Sequence, residues 1–101
     1  MNEIMKVSDI TAQDVWDYLR YSDVMDIDSA NFLNTAINVA KTFIKNYTGR
    51  TSEELDNYQD FVIVALVLCQ DMYDTRSLYV DKTNLNNVVD SILFMHSVNL
   101  L

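Results

Sequence analysis

Proline is absent from this 101-residue chain, and glycine occurs once, as Gly49. An all-β chain needs special turn residues every few positions, so a mostly helical fold is expected. One glycine also excludes the glycine-rich loops that cradle phosphates, which require close backbone approach at several points. Cysteine is as scarce. Cys69 has no partner for an internal disulfide, and with His96 the sole histidine no cysteine–histidine zinc site can be assembled. Basic side chains number seven against fifteen acidic ones, a formal net charge of −8. Such a chain is poorly suited to gripping nucleic acid, where affinity comes largely from Lys and Arg neutralising phosphates. Long apolar runs are missing too. The longest, Phe61–Cys69, has nine residues, where a membrane-spanning helix needs about 20.

Half the residues are hydrophobic and 22% are charged, a globular balance rather than a disordered one. The length suits one core, so a single domain is expected over 1–101. The opening Met-Asn-Glu-Ile-Met-Lys lacks the basic start and apolar run of a secretion signal, which points to a reducing cytoplasm and no membrane partner.

Helix signals follow one another along the chain. Thr11 and Asp14 are spaced as a capping box, Ile10 is placed to staple against Val15, and Val15, Tyr18 and Leu19 share one face. This first helix is expected to fade near Arg20 or Tyr21. After an acidic link, Asp26 or Asp28 caps a second helix whose stripe is Leu33, Ala36, Ile37, Ala40, Ile44 and Tyr47. Lys41 and Lys45 sit late in it, and Gly49 is placed as the left-handed residue that ends it. Thr51 with Glu54, or Asp56 with Gln59, can open the next segment. The run Phe61–Cys69 also suits a buried strand, but the pattern continues at helical spacing through Met72 and Tyr73, and no strand partner is in sight. A helix apolar on nearly all sides belongs at the centre of a bundle or reserves one face for another subunit. Asp74–Asn87, polar apart from Leu78, Tyr79, Val80 and Leu85, reads as a long loop or a short hairpin arm. Asn86 or Asn87 then caps a last helix with Val88, Val89, Ile92, Leu93 and Met95 as its apolar residues. The expected fold is all-α, a small bundle of about four helices with a long loop before the last.

No reactive constellation emerges. Ser97, next to His96, would point about 100° away on a helix, so His96 reads as a surface or end-capping residue. Cys69 lies in the apolar run, where burial makes a thiol inert. Asp23, Asp26 and Asp28 do not make a calcium loop: counting from Asp26, Asn31 stands where glycine is needed and Ile37 where a bidentate glutamate is needed. Asp56, Asp60, Asp71 and Asp74 are too scattered to pair. The aromatics Trp16, Tyr18, Tyr21, Phe43, Tyr47, Tyr73 and Tyr79 lack the basic groove of a base-stacking platform and suit core and interface packing. Neither a cofactor nor a catalytic or metal site is expected.

Three segments resemble the small helical head–tail connector (adaptor) proteins of tailed bacteriophages, often labelled putative DNA-packaging proteins. They are the opening Ile10-Thr11 with Val15-Trp16-Asp17-Tyr18-Leu19-Arg20, the helix end Ala40–Thr51 with its Tyr47-Thr48-Gly49-Arg50-Thr51, and the close Met72-Tyr73-Asp74-Thr75-Arg76. The tail Ser91–Leu101 is also similar to that of several members. The likeness covers almost the whole chain apart from Leu78–Asn87. It implies a structural, non-enzymatic virion protein at the head–tail junction, assembled in the host cytoplasm. Copies would form a ring under the portal protein, extend the DNA channel, and offer a platform to a downstream tail or head-completion protein. DNA would pass without specific binding. Twelve chains at −8 each would carry a formal charge of about −96, repelling phosphates within roughly 8 Å of a wall; the same acidity also serves solubility. The candidate interaction residues are Val62, Val64 and Leu66 as a surplus face of the third helix, Leu78, Tyr79, Val80 and Leu85 in the loop, and Val98, Leu100 and Leu101 in the tail. The alternative reading is a small acidic regulator that binds a basic protein partner.

Overall fold

A computed structural model describes residues 6–21 and 23–98. The described chain is mostly helical, with five α-helices, four of them of seven residues or more, and it contains no strand. Helix α1 spans Ala12–Tyr18, α2 Ile27–Thr48, α3 Ser52–Leu55, α4 Asp60–Thr75 and α5 Asn87–Met95. Short 3-10 turns lie at Val7–Asp9 and Lys82–Asn84.

The caps are local chemistry. Thr11 accepts from the Asp14 amide while the Asp14 carboxylate accepts from the Thr11 amide, which closes the box that opens α1. Of the two candidates for α2, Asp26 is the cap, accepting from Ser29 N at 2.8 Å, and Asp28 falls in the first turn. Gly49 ends α2 at φ 72°, where a side chain would crowd the preceding turn. Thr51 and Glu54 form a second box, but it opens only the single turn α3. Asp56 caps nothing. Its carboxylate instead accepts from Ser8 N and Ser8 Oγ at 3.0 and 2.8 Å, tying the N-terminal turn across α3. Asn86 caps α5 through Val88 N and Val89 N.

The apolar run Phe61–Cys69 is helix, and α4 lies against α1, α2, α5 and the first 3-10 turn. Nine of its side chains are buried: Phe61, Val62, Val64, Ala65, Leu66, Leu68, Cys69, Met72 and Tyr73. Opposite them across the main contact, α2 contributes Leu33, Ala36, Ile37, Ala40 and Ile44. Tyr47 is only half-buried. The last buried place on α2 goes to Thr48, whose hydroxyl is satisfied by Ile44 O at 2.7 Å.

Two expected faces are corrected. On α1 the buried residues are Ala12, Val15 and Trp16, and Tyr18 is exposed. The link after the helix folds back over Trp16, whose indole N–H donates to Asp23 O at 2.8 Å and whose ring meets Tyr21 and Tyr73. On α5 only Val89 and Leu93 are buried, whereas Val88 and Met95 face outward. Two of the helix ends that lack glycine, those of α1 and α4, place an arginine in the left-handed region. Arg20 has φ 62° and Arg76 φ 52°. At Arg76 the Ser77 amide reaches back to Met72 O and the Arg76 amide to Tyr73 O, a Schellman closure.

These caps give the fold an acid limit. Hydrogen bonds from Ser29 hold Asp26 below the usual carboxylate range, those from Thr51 do the same for Glu54, and those from Asn84 and Thr83 for Asp81. A carboxylate with a depressed folded pKa stabilises the fold above its unfolded value of about 4, and that contribution is lost as pH falls through the folded value. Asp71 acts oppositely, because burial and then Asp74 push its carboxyl up, so its protonation favours the fold. The three capping carboxylates lose their contribution together, at the acid end of the range. The melting temperature should therefore be level from pH 7 to about 5 and fall below about 4. The variant Asp26→Asn, Glu54→Gln, Asp81→Asn should show a shallower fall in a pH series of thermal melts.

Candidate functional site

The most connected polar feature joins the α2–α3 turn to the end of α5. Arg50 Nε donates to His96 O at 2.6 Å, its guanidinium lies 5.0 Å from the Tyr58 ring centroid, and Nη1 is 3.6 Å from Glu54 Oε2. The His96 ring packs on Tyr58 and Phe61 with centroids 4.5 and 5.1 Å away, and Nε2 stands 3.2 Å from Asp60 Oδ2. One residue earlier in the turn, Gly49 provides the reversal, and Thr48 O accepts from Val98 N at 2.8 Å. The Tyr47 hydroxyl donates to Asp90 Oδ1 at 2.9 Å, linking α2 to the start of α5. Burial, then the Asp90 carboxylate, pushes that phenol above its ordinary value. Tyr47, Thr48, Gly49, Arg50 and Thr51 thus each carry a defined structural duty at one corner of the molecule.

What this corner presents is apolar. Val88, Phe94, Met95 and Val98 are 62%, 65%, 66% and 53% exposed, although α5 is otherwise held firmly at both ends. A second feature is a groove of about 340 Å³ between α4 and the following loop. Leu68, Val80 and Leu85 form its apolar walls, and Asp71 and Asp81 add carboxylates. Tyr79, which also lines it, and the neighbouring Leu78 are exposed, while Val80 and Leu85 are half-buried against the core. Asp81 is occupied with its own turn, accepting from Thr83 and Asn84.

The surplus face expected from Val62, Val64 and Leu66 is not available: all three are buried in this chain's own core. A helix covered by α1, α2 and α5 has little left over, and Ile63 is its exposed large apolar residue. Val98 is exposed beside Thr48, whereas Leu100 and Leu101 lie outside the described residues. The pairing of His96 with Asp60 and Arg50 joins residues 36 and 46 positions apart, which spacing could not reveal. The exposure of Phe94 has no sequence signal of its own, since its neighbours Leu93 and Met95 are the residues that fit the expected apolar set.

The His96 ring is packed by Tyr58 and Phe61, and its Nε2 stands against one carboxylate. Among the described residues no group of three or more His, Cys, Asp or Glu is placed to hold a metal ion, and no helix is long and apolar enough to cross a membrane. Carboxylates stand on every helix, and those of Asp14, Asp17, Asp26, Glu54, Asp56, Asp60 and Asp90 are engaged within the chain. Burial pushes the Cys69 thiol up to about 12, with Lys41 acting weakly the other way. The thiolate is the reactive form. Cys69 should therefore resist a thiol reagent at pH 8 in the folded protein and react at the rate of a free thiol once the chain is unfolded in guanidinium. Compared with known protein families, with curated proteins and with solved structures, the chain matches none.

Proposed function

We propose that this chain is a structural connector of the kind found at the head–tail junction of tailed bacteriophages. In this reading its helices form a small bundle of about four, with a long loop before the last. Copies make a ring beneath the portal protein, prolong the DNA channel and receive the next tail or head-completion protein. DNA passes an acidic wall without specific contacts, and the chain needs no cofactor.

One observation carries the reading. One of the segments that carry the family likeness, Tyr47–Thr51, is also the segment that fixes α5 in place through the Arg50–His96 and Thr48–Val98 hydrogen bonds. It thereby presents Val88, Phe94, Met95 and Val98 outward on a rigid support. An exposed apolar patch on a firmly held helix suits attachment to another protein surface. The uneven charge supports the reading as well, because a net −8 disfavours adhesion to the DNA passing through.

The test is to mix the purified chain with the portal protein encoded in the same genome and image the mixture by electron cryo-microscopy. Ring-shaped density on one side of the portal is the expected result. Bare portals at saturating protein would overturn the proposal.

A further inference from the structure

Arg20 is the one arginine in a costly backbone conformation without an evident local reason. A residue with a Cβ at φ 62° is disfavoured by about 1 kcal/mol relative to glycine. Arg76, at φ 52°, has compensation: its guanidinium lies 3.8 Å from the Tyr73 ring centroid and donates to Tyr73 O. The Arg20 side chain is exposed and makes no hydrogen bond, ion pair or ring contact among the described residues. Exposed apolar side chains surround its segment, namely Tyr18, Tyr21, Val24 and Ile27, the last two 95% and 76% exposed.

The groove between α4 and the 77–85 loop has the opposite character. Asp71, exposed along its edge, is a carboxylate that has no cation partner among the described residues and stands close to Asp74. No Lys or Arg lines it. The two features lie on opposite flanks of α4. Tyr73, two positions after Asp71, leaves the helix about 160° away, and it is Tyr73 that packs against Trp16 and Tyr21 beside Arg20.

We infer that copies of this chain join head to tail, the Arg20 side chain of one copy entering the Asp71 groove of the next. The inference rests on the connector reading and names the contact between ring neighbours. A guanidinium whose stem lies on Leu68, Val80 and Leu85 and whose head meets Asp71 satisfies both the apolar walls and the unpaired charge. The ridge of Tyr18, Tyr21, Val24 and Ile27 then covers Leu78 and Tyr79 and excludes water around the pair, the environment in which arginine and tyrosine act as interface anchors. Because the patches differ and face opposite ways, the contact is heterologous. It repeats into a ring or an open chain and cannot close as a two-fold dimer.

The test uses the purified chain at millimolar concentration. Arg20→Cys mixed with Thr75→Cys should yield a disulfide-linked dimer under mild oxidation, at least tenfold above Arg20→Cys mixed with Glu53→Cys; the native Cys69 thiol is buried. Carrying both substitutions in one chain should give a ladder of higher oligomers. By sedimentation, Arg20→Gly should lower self-association at least tenfold while melting no lower than the native chain, which separates a lost contact from a damaged fold. Pairing Arg20→Asp with Asp71→Arg in one chain should restore association. Equal cross-linking to Glu53→Cys, unchanged association of Arg20→Gly, or a native chain that stays monomeric would each overturn the contact. The connector reading would survive all three if portals still acquire a ring, whereas a ladder without portal binding would uphold the contact and remove the connector reading.

Discussion

Phe61→Ala should cost about 3–5 kcal/mol of folding stability, the range for truncating a buried aromatic residue. A domain of ordinary stability has only about 5–15 kcal/mol in all, so the variant should be close to unfolding at 37 °C. Phe61 is fully buried at the start of α4, edge-on to Tyr58 at 5.7 Å and to His96 at 5.1 Å. Its removal opens a cavity between α4 and the end of α5 and takes away one wall of the His96 site. Phe94→Ala is the matched contrast, removing the same atoms from an exposed place on α5. Its stability should stay within about 0.5 kcal/mol of the native chain. Urea melts of the two variants separate them, and equal losses would mean that the core has been placed wrongly.

Removing Val98–Leu101 should have the reverse signature. Within the described residues the deletion gives up one backbone hydrogen bond, from Val98 N to Thr48 O. That is worth about 1 kcal/mol, since water replaces it at an exposed end. Arg50 still holds His96 O and Asn86 still caps α5, so the fold survives. Attachment to the portal should nevertheless be abolished, because Val98 belongs to the exposed apolar surface assigned to docking in the connector proposal. Circular dichroism melts check the first half, and retention on portal-bearing heads in a gradient checks the second. Infectious particles built with the truncated chain would remove the tail from the account.

The helix ends were legible because their chemistry is local. Thr11 with Asp14, Asp26, Thr51 with Glu54, Asn86 and Gly49 each act within four residues; spacing alone singles out Thr11 and Gly49, and leaves two candidates each for the caps at Asp26, Thr51 and Asn86. The buried stripe of α2 was legible for a related reason, since one polar face leaves one choice. Where a helix is apolar on two sides, periodicity stops deciding. Val62, Val64 and Leu66 seemed spare only because α4 has so little polar surface, and the packing of α1 and α5 settles which residues are covered. Val88 and Val89 present the same ambiguity at smaller scale, and the core takes Val89. Arg76 gives no sequence signal for a left-handed helix end, because its conformation depends on stacking over Tyr73. The corner built from Arg50, His96 and Asp60 was out of reach, as its members meet only after α2, α4 and α5 have packed. The groove beside Asp71 depends likewise on how the 77–85 loop returns against α4.

The central claim is that this chain joins two larger assemblies and transforms no substrate. Disrupting its gene in the genome that encodes it, then examining the particles by electron microscopy, tests that claim most directly. The expected result is heads that contain DNA but carry no tails, free tails alongside, and joined particles once the intact gene is supplied. Tailed, infectious particles made in its absence would contradict the account.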